Sequence, residues 1–316
     1  MRAFIFPGQG SQAVGMGKAL ADASPTAREV FQEVDDALGQ KLFRLMTEGP
    51  EDQLVLTENA QPAIMANAIA TLRVLEKEGG VTLAAKADYV AGHSLGEYSA
   101  LCAAGAFDLA TTARLLKTRG QAMQAAVPVG IGAMAALLGA DIDTAQKLAD
   151  AAAEGEICTV ANDNDPSQVV ISGHKGAVER AVALVKDAGQ SWGIKRGVLL
   201  PVSAPFHCPL MQPAADAMAE ALAANPPRAP LVPVVANVTA SPASDADTIR
   251  DLLVQQVTGR VRWRESVAAM EDIGVTHFAE FGGKVLSPMV KRSASGEVET
   301  VSVISMDDIE ALLKTL

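Results

Sequence analysis

Ala87-Asp88-Tyr89-Val90-Ala91 is a short apolar run, closed at once by Gly92-His93-Ser94-Leu95-Gly96 and followed by the alanine-rich, helix-favouring stretch Glu97 to Ala104. A strand, a sharp turn and a helix in that order point to an α/β protein whose strands end at a layer of loops. The turn itself reads G-x-S-x-G. Small residues on both sides let it tighten and present the Ser94 oxygen above the sheet, while the Leu95 amide, at the helix start, points to where an oxyanion would form. Such pentapeptides also arise by chance in ordinary turns, and it is the flanking strand and helix that give this one a mechanism.

The chain opens on a similar unit. Ala3 to Phe6 is apolar and stops at Pro7-Gly8, as a buried strand running into a glycine-rich loop does. From about residue 25 to residue 70 the pattern is helical, broken at Gly39 and at Gly49-Pro50. Asp108 reads as the N-cap of a helix from Leu109 to about Ala126 that carries Arg119.

Pro128, Gly130 and Gly132 then punctuate the chain, and a different order follows. A strand (Ala133–Leu138), a helix (Thr144–Ala153), two strands around Asn164-Asp165-Pro166, a helix (Ala177–Ala188) and a strand (Val198–Val202) make β-α-β-β-α-β, the ferredoxin-like order. Strands at Val232–Val238 and, with an alternating pattern, at Thr276–Phe281 belong to the first fold again. The expected architecture is an α/β-hydrolase-like core from residues 1–128 and 201–316, with an inserted ferredoxin-like subdomain at residues 129–200.

Several function classes fall away on composition. With 316 residues, 49% hydrophobic and 20% charged, the chain has the make-up of an ordinary globular enzyme. No stretch reaches the roughly 18 uninterrupted apolar residues of a membrane span, and the opening run is too short for a secretory signal, so neither a membrane nor export is expected. Cys102, Cys158 and Cys208 lie far apart with no C-x-x-C pair, which suggests no disulfide framework and no zinc site and fits a reducing cytoplasm. A formal charge of −11 argues against nucleic acid as the main partner, while leaving room for local basic patches such as Arg260, Arg262 and Arg264.

A serine nucleophile needs a base, and there are four histidines: His93, His174, His207 and His277. His93 is too close in sequence to fold back on Ser94 easily, and His174 sits in a Gly-His-Lys-Gly turn. His207 lies between Pro205 and Pro209, which stiffen its segment, whereas His277 lies in a strand and would suit the Ser–acid–His order of hydrolases. Residue mechanics favour His207 only slightly. Gly8-Gln9-Gly10-Ser11-Gln12-Ala13 also matches the dinucleotide pattern G-x-G-x-x-A, with Glu29 as a candidate ribose acid, yet the same backbone could supply a second oxyanion amide. Arg119 is either a cation near a helix C-terminus or a planar fork for a substrate carboxylate.

Taken together, Phe6-Pro7-Gly8-Gln9-Gly10-Ser11-Gln12, Gly92-His93-Ser94-Leu95-Gly96-Glu97, Arg119-Gly120, Gly132-Ala133-Met134 and Pro205-Phe206-His207 resemble malonyl-CoA:acyl carrier protein transacylases over nearly the whole chain. The resemblance implies a serine acyltransferase of fatty acid biosynthesis that moves malonyl from coenzyme A to the phosphopantetheine thiol of acyl carrier protein, with no metal and no cofactor. It implies Ser94 as the acylated nucleophile, His207 as its base, the Gln12 and Leu95 amides as the oxyanion hole and Arg119 as the holder of the malonyl carboxylate. Gln256 matches the position whose backbone carbonyl orients the histidine, and it is grouped with Arg119 on the substrate side. Asn162 and Asn164 match asparagines that line the cleft, and Phe206 matches a residue associated with malonyl over bulkier extenders.

Two departures stand out: many relatives have Ser in place of Phe206, and Phe281-Gly282-Gly283-Lys284 lacks the Pro of the family's Gly-Pro-Gly-Lys. The expected partners are malonyl-CoA and an acidic carrier protein steered by basic residues such as Lys284 or Lys291-Arg292. The chain itself is expected to be a monomer. A hydrolase using the same serine, a binding module with a dead site and a dinucleotide enzyme are the competing classes.

Overall fold

Ala3, Phe4, Ile5 and Phe6 are all completely buried, as in a strand covered on both faces. The computed structural model describes residues 1–188 and 191–316. Its first half runs β1 (Arg2–Phe6), α1 (Lys18–Ala23), α2 (Pro25–Leu38), α3 (Leu42–Glu48), α4 (Glu51–Leu54), α5 (Thr57–Gly79), α6 (Leu83–Lys86), β2 (Tyr89–Gly92), α7 (Leu95–Ala103) and α8 (Leu109–Ala125). There follow β3 (Gly132–Leu138), α9 (Ile142–Ala153), β4 (Cys158–Asp165), β5 (Gln168–His174), α10 (Lys175–Trp192) and β6 (Arg196–Leu199). The chain closes with α11 (Gln212–Ala224), β7 (Val234–Ala236), β8 (Ser241–Ala243), α12 (Ala246–Thr258), α13 (Trp263–Asp272), β9 (His277–Phe281), α14 (Leu286–Ser293), β10 (Glu299–Val303) and α15 (Met306–Leu313).

The main sheet has the order β10-β9-β1-β2-β7-β8, parallel except for the β7–β8 hairpin. Parallel strands need crossovers, and helices supply them on both faces. The smaller sheet, β4-β5-β3-β6, is antiparallel throughout. It has its own hydrophobic core, in which Leu137, Leu148, Val169, Ile171 and Val178 meet. The protein is thus an α/β fold with a parallel main sheet and a small antiparallel four-stranded subdomain, whose strand order is that of a ferredoxin-like unit.

Local chemistry explains the main boundaries. Asp108 accepts from the Thr111 amide at 2.7 Å and starts α8, and Ser24 caps α2 with Pro25 in its first turn. Two strands fall elsewhere than their patterns indicate. The last strand of the small sheet ends at Leu199 rather than Val202, because the Val202 amide turns back to the Leu200 carbonyl at 2.9 Å and Pro201 has no N–H to pair. The strand expected over Val232–Val238 shrinks to Val234–Ala236, and Asn237 leaves the ladder to reach the site described below. Burial does not alternate over residues 278–281; both faces of β9 are covered, Phe278 entering one core and Ala279 and Phe281 the other, since β9 lies between β1 and β10 under helices.

The small sheet is fastened to the core along β4. Val261 donates to the Ala161 carbonyl at 2.8 Å and Asp163 donates to the Val261 carbonyl at 2.9 Å. Two buried carboxylates on the same strand take arginines from the core helices: Asp163 from Arg264 at 2.8 Å and Asp165 from Arg292 at 2.8 Å. The loop that lacks the family's proline is held by Glu280, whose carboxylate accepts from the amides of Val285, Leu286 and Ser287 at the start of α14.

Candidate active site

The glycines of the G-x-S-x-G turn are a packing requirement. A Cβ on Gly92 would lie 1.9 Å from the Gly96 carbonyl oxygen, and one on Gly96 would lie 2.2 Å from the carbonyl oxygen of Phe6 at the end of β1. Between them Ser94 takes φ 54° and ψ −112°, a left-handed backbone that costs a non-glycine residue on the order of 1–3 kcal/mol. Tertiary bonds hold it there: the Ser94 amide donates to Asn237 Oδ1 at 2.8 Å, and the Ser94 carbonyl accepts from Gln256 Nε2 at 3.0 Å.

Ser94 Oγ lies 2.8 Å from His207 Nε2. His207 also has a left-handed backbone, φ 55°, and its Nδ1 faces two carbonyl oxygens, those of Gln256 at 2.9 Å and Gly259 at 3.1 Å. Carbonyls only accept, so Nδ1 carries the proton and Nε2 is left as an acceptor for the serine hydroxyl. Burial, reinforced by the charge of Arg119, pushes the pKa of His207 down to about 3. The other histidines are engaged elsewhere. His93 Nε2 bonds Asn164 Oδ1 at 2.8 Å, His174 Nδ1 accepts from the Ile157 amide, and His277 pairs with Glu299 on the outside of the sheet.

Arg119 is buried beside the serine. Its Nη2 donates to Ser94 Oγ at 3.1 Å and to Gln256 Oε1 at 2.8 Å, and its Nη1 donates to Gln61 Oε1 at 2.8 Å. Its guanidinium lies 5.7 Å from the centre of the Tyr98 ring. Burial lowers its pKa, with Tyr98 and Glu97 acting the other way. Among the described residues its Nε has no hydrogen-bond partner. A buried cation with a free donor beside a nucleophile is equipped to meet an anion.

These groups open on a cleft of about 370 Å³ between the two sheets, walled by Met123, Met134, Leu200, Val202 and Phe206 and entered past Gln9, Gly10, Gln12 and Asn162. The Leu95 N–H, first in α7, has no protein partner among the described residues. Gln12 lines the cleft, and its side-chain oxygen accepts from the Gly10 amide at 2.7 Å. Gly8, the residue before Gln9, packs so tightly on His93 that a Cβ would come within 2.7 Å of its carbonyl oxygen.

The protein-family model for the acyl transferase domain matches residues 3–289. The chain is 46% identical over 315 residues to the malonyl CoA-acyl carrier protein transacylase of Escherichia coli K12, covering 99% of this chain and 98% of that one. It belongs to the malonyl CoA-acyl carrier protein transacylase family. The crystal structure of the acyl-carrier-protein S-malonyltransferase from Bartonella henselae superposes with a TM-score of 0.95 at 52% identity, covering 99% of this chain and 98% of that chain. A malonyl-transacylase solved in complex with its type II PKS acyl-carrier protein superposes with a TM-score of 0.94 at 40% identity, covering 100% of this chain and 99% of that chain.

Set against what membership of this family leads one to expect, the geometry brings Ser94, Leu95, Arg119 and His207 together around one cleft. Gln256 stands differently: it is fully buried behind Arg119 instead of on the cleft wall, so it meets its neighbours and not a ligand. Asn162 lines the cleft, whereas Asn164 lies behind it and holds His93. Arg292 is occupied by Asp165, while Lys284 and Lys291 are exposed. Glu29 is paired with Lys77 on the surface and the first loop enters a helix of only six residues, which removes the dinucleotide alternative. Asn237, Gln61 and Gly259 complete the site without a local sequence signal, and Glu97, the last residue of the elbow motif, joins them with no role read from the sequence.

Proposed function

We propose that the chain carries malonyl groups from malonyl-CoA to the phosphopantetheine thiol of acyl carrier protein for fatty acid assembly, through an acyl-enzyme on Ser94. The observation that carries this reading is Arg119 Nη2, 3.1 Å from the serine oxygen. In malonyl thioesters one methylene separates the carboxylate from the carbonyl under attack, so a cation that adjoins the nucleophile selects for that acyl group. The partner protein follows from the relative that was solved with its acyl-carrier protein.

His207 Nε2 takes the proton of Ser94 as Oγ attacks the thioester carbonyl. The oxyanion is met by the Leu95 N–H and by an N–H of the Gln9–Gln12 loop; the family resemblance implies that of Gln12, and packing on the elbow favours that of Gln9. Collapse of the tetrahedral intermediate expels coenzyme A, whose sulfur receives the proton from His207. The carrier-protein thiol then enters, gives its proton to His207 and attacks the serine ester, and Ser94 regains its hydrogen. Throughout, the Gln256 and Gly259 carbonyls keep His207 Nδ1–H in place. None of these steps needs a metal or a cofactor.

We further infer a cytoplasmic monomer. The three cysteines are free thiols, in keeping with a reducing compartment, and no described helix is long and apolar enough to cross a membrane. The test of the acyl preference is Arg119→Ala. Loss of the charged pair should cost malonyl transfer about 2–5 kcal/mol and acetyl transfer much less; equal losses for the two donors would remove Arg119 as the carboxylate clamp.

A further inference from the structure

Behind Arg119 stands a second buried charge that the transfer reaction does not use. Glu97, in the first turn of α7, is 1% exposed. Its Oε2 accepts from Gln256 Nε2 at 2.9 Å and from the Asn237 amide at 3.0 Å. The Gln256 carboxamide continues the line, since its Oε1 accepts from Arg119 Nη2 at 2.8 Å. Chemistry dictates this orientation: a guanidinium can only donate and a carboxylate can only accept, so the amide oxygen must face Arg119 and the amide nitrogen Glu97. Glu97, Gln256 and Arg119 are therefore an ion pair with a carboxamide between its charges.

We propose that Glu97 is the buried counter-ion of Arg119 in the empty enzyme, and that it yields this role to the malonyl carboxylate by taking up a proton when the acyl group binds. The proposal rests on Arg119 as the carboxylate clamp. In the empty site Glu97 and Arg119 balance. With malonyl bound, two negative groups would share one cation out of reach of water, and protonating one of them restores neutrality. The malonyl carboxylate touches the guanidinium directly, whereas Glu97 reaches it through an amide, so Glu97 is the group that gives way. Burial already pushes the pKa of Glu97 up to about 7, and the added anion needs to shift it only a little further.

The surroundings leave few other groups to answer. α8 contributes Arg119, α5 brings the neutral Gln61 to the same guanidinium, and Gln256 and Asn237 are neutral. Tyr98, next to Glu97 on α7, is held in its neutral form by burial. β7 carries no charged side chain, and Arg2 and Tyr89 stand at the opposite ends of β1 and β2 from the elbow. Glu97 is thus a specificity-tuning position, which favours malonyl over an uncharged acyl group increasingly as the pH falls through neutrality.

Proton counting tests this on the wild-type protein. Acylation turns a thioester and a hydroxyl into an ester and a thiol, with no net proton, so any uptake reports a linked group. In weak buffer at pH 7 with an indicator dye, malonyl-CoA should draw protons in proportion to the serine acylated, and acetyl-CoA, brought to the same adduct level by intact mass, should draw none. In Glu97→Gln the uptake should vanish, and the malonyl-to-acetyl ratio of kcat/KM, which should rise several-fold in the wild type from pH 8 to pH 6, should become flat. Equal uptake for both donors, or malonyl uptake that persists in Glu97→Gln, would overturn the proposal. If that variant does not fold, the wild-type comparison decides alone. Failure of the clamp itself is read separately, from an Arg119→Ala variant that keeps its malonyl preference.

Discussion

His207 presents its Nδ1 to the carbonyl oxygen of Gln256 at 2.9 Å and its Nε2 to the hydroxyl of Ser94 at 2.8 Å. A carbonyl orients an imidazole without supplying the charge that would stabilise an imidazolium. Among the described residues no carboxylate bonds the ring, and Arg119 opposes a second positive charge. The base is therefore kept neutral and ready to accept a proton over the whole physiological range.

The pH dependence follows with its sign. The unfolded chain protonates His207 below about 6.5, whereas the folded chain resists until about 3. Stability is thus lost as the pH falls from 6.5 towards 3. His207→Asn, which tolerates the left-handed backbone, should lose less stability than the wild type between pH 7 and pH 5 by urea midpoint. In Glu97→Gln, which removes the buried carboxyl that titrates near neutrality, the acylation rate at saturating acetyl-CoA should show no inflection near 6.5. An inflection there would mean that the ring titrates like a free histidine.

Strain at the nucleophile gives a second test. Ser94→Gly removes the hydroxyl but relieves the left-handed backbone, by roughly 1 kcal/mol. The variant should form no acyl-enzyme and melt at or a few degrees above the wild type. A clear drop in melting temperature would show that the elbow is unstrained.

The elbow glycines are expected to be intolerant. Gly96→Ala drives a methyl into the Phe6 carbonyl and should cost about 3 kcal/mol, with loss of activity. Gly176→Ala meets only the flexible ends of Glu156 and Arg180 and should be neutral or mildly stabilising. Chemical denaturation of the two variants side by side checks the contrast.

The clasp between small sheet and core can be broken from either side, with unequal results. Arg264→Ala strands the buried carboxylate of Asp163, whereas Asp163→Ala leaves a half-exposed arginine that water can reach. The first should cost about 3 kcal/mol and the second less, measured by urea unfolding. Equal costs would mean that the carboxylate is solvated.

Those features that depend on nearby residues were legible in the sequence. Gly92 to Gly96, the Asp108 cap and the β-α-β-β-α-β order each declare themselves within a few residues or through a repeating alternation. Ser94 could be singled out because its strand–turn–helix setting gives a nucleophile a mechanism, whereas Arg119 read equally well as an ordinary helix cation and took its role only from the family resemblance. Gln256 and Gly259 act on His207 through backbone oxygens that every residue possesses, so Gln256 was found only through the family resemblance and Gly259 not at all. Asn237 reaches Ser94 across 143 positions in the chain, and Gln61 comes to Arg119 across 58 positions from another helix. Both contacts depend on how strands and helices stack, which local pattern does not encode.

The central claim is a malonyl group carried on Ser94, and intact-protein mass spectrometry addresses it directly. Wild type and Ser94→Ala are incubated briefly with malonyl-CoA and then chased with carrier protein bearing its phosphopantetheine arm. The account predicts a malonyl adduct on the wild type only, which passes to the carrier protein. An adduct that forms equally on Ser94→Ala, or one that is lost to water without reaching the carrier protein, would contradict it.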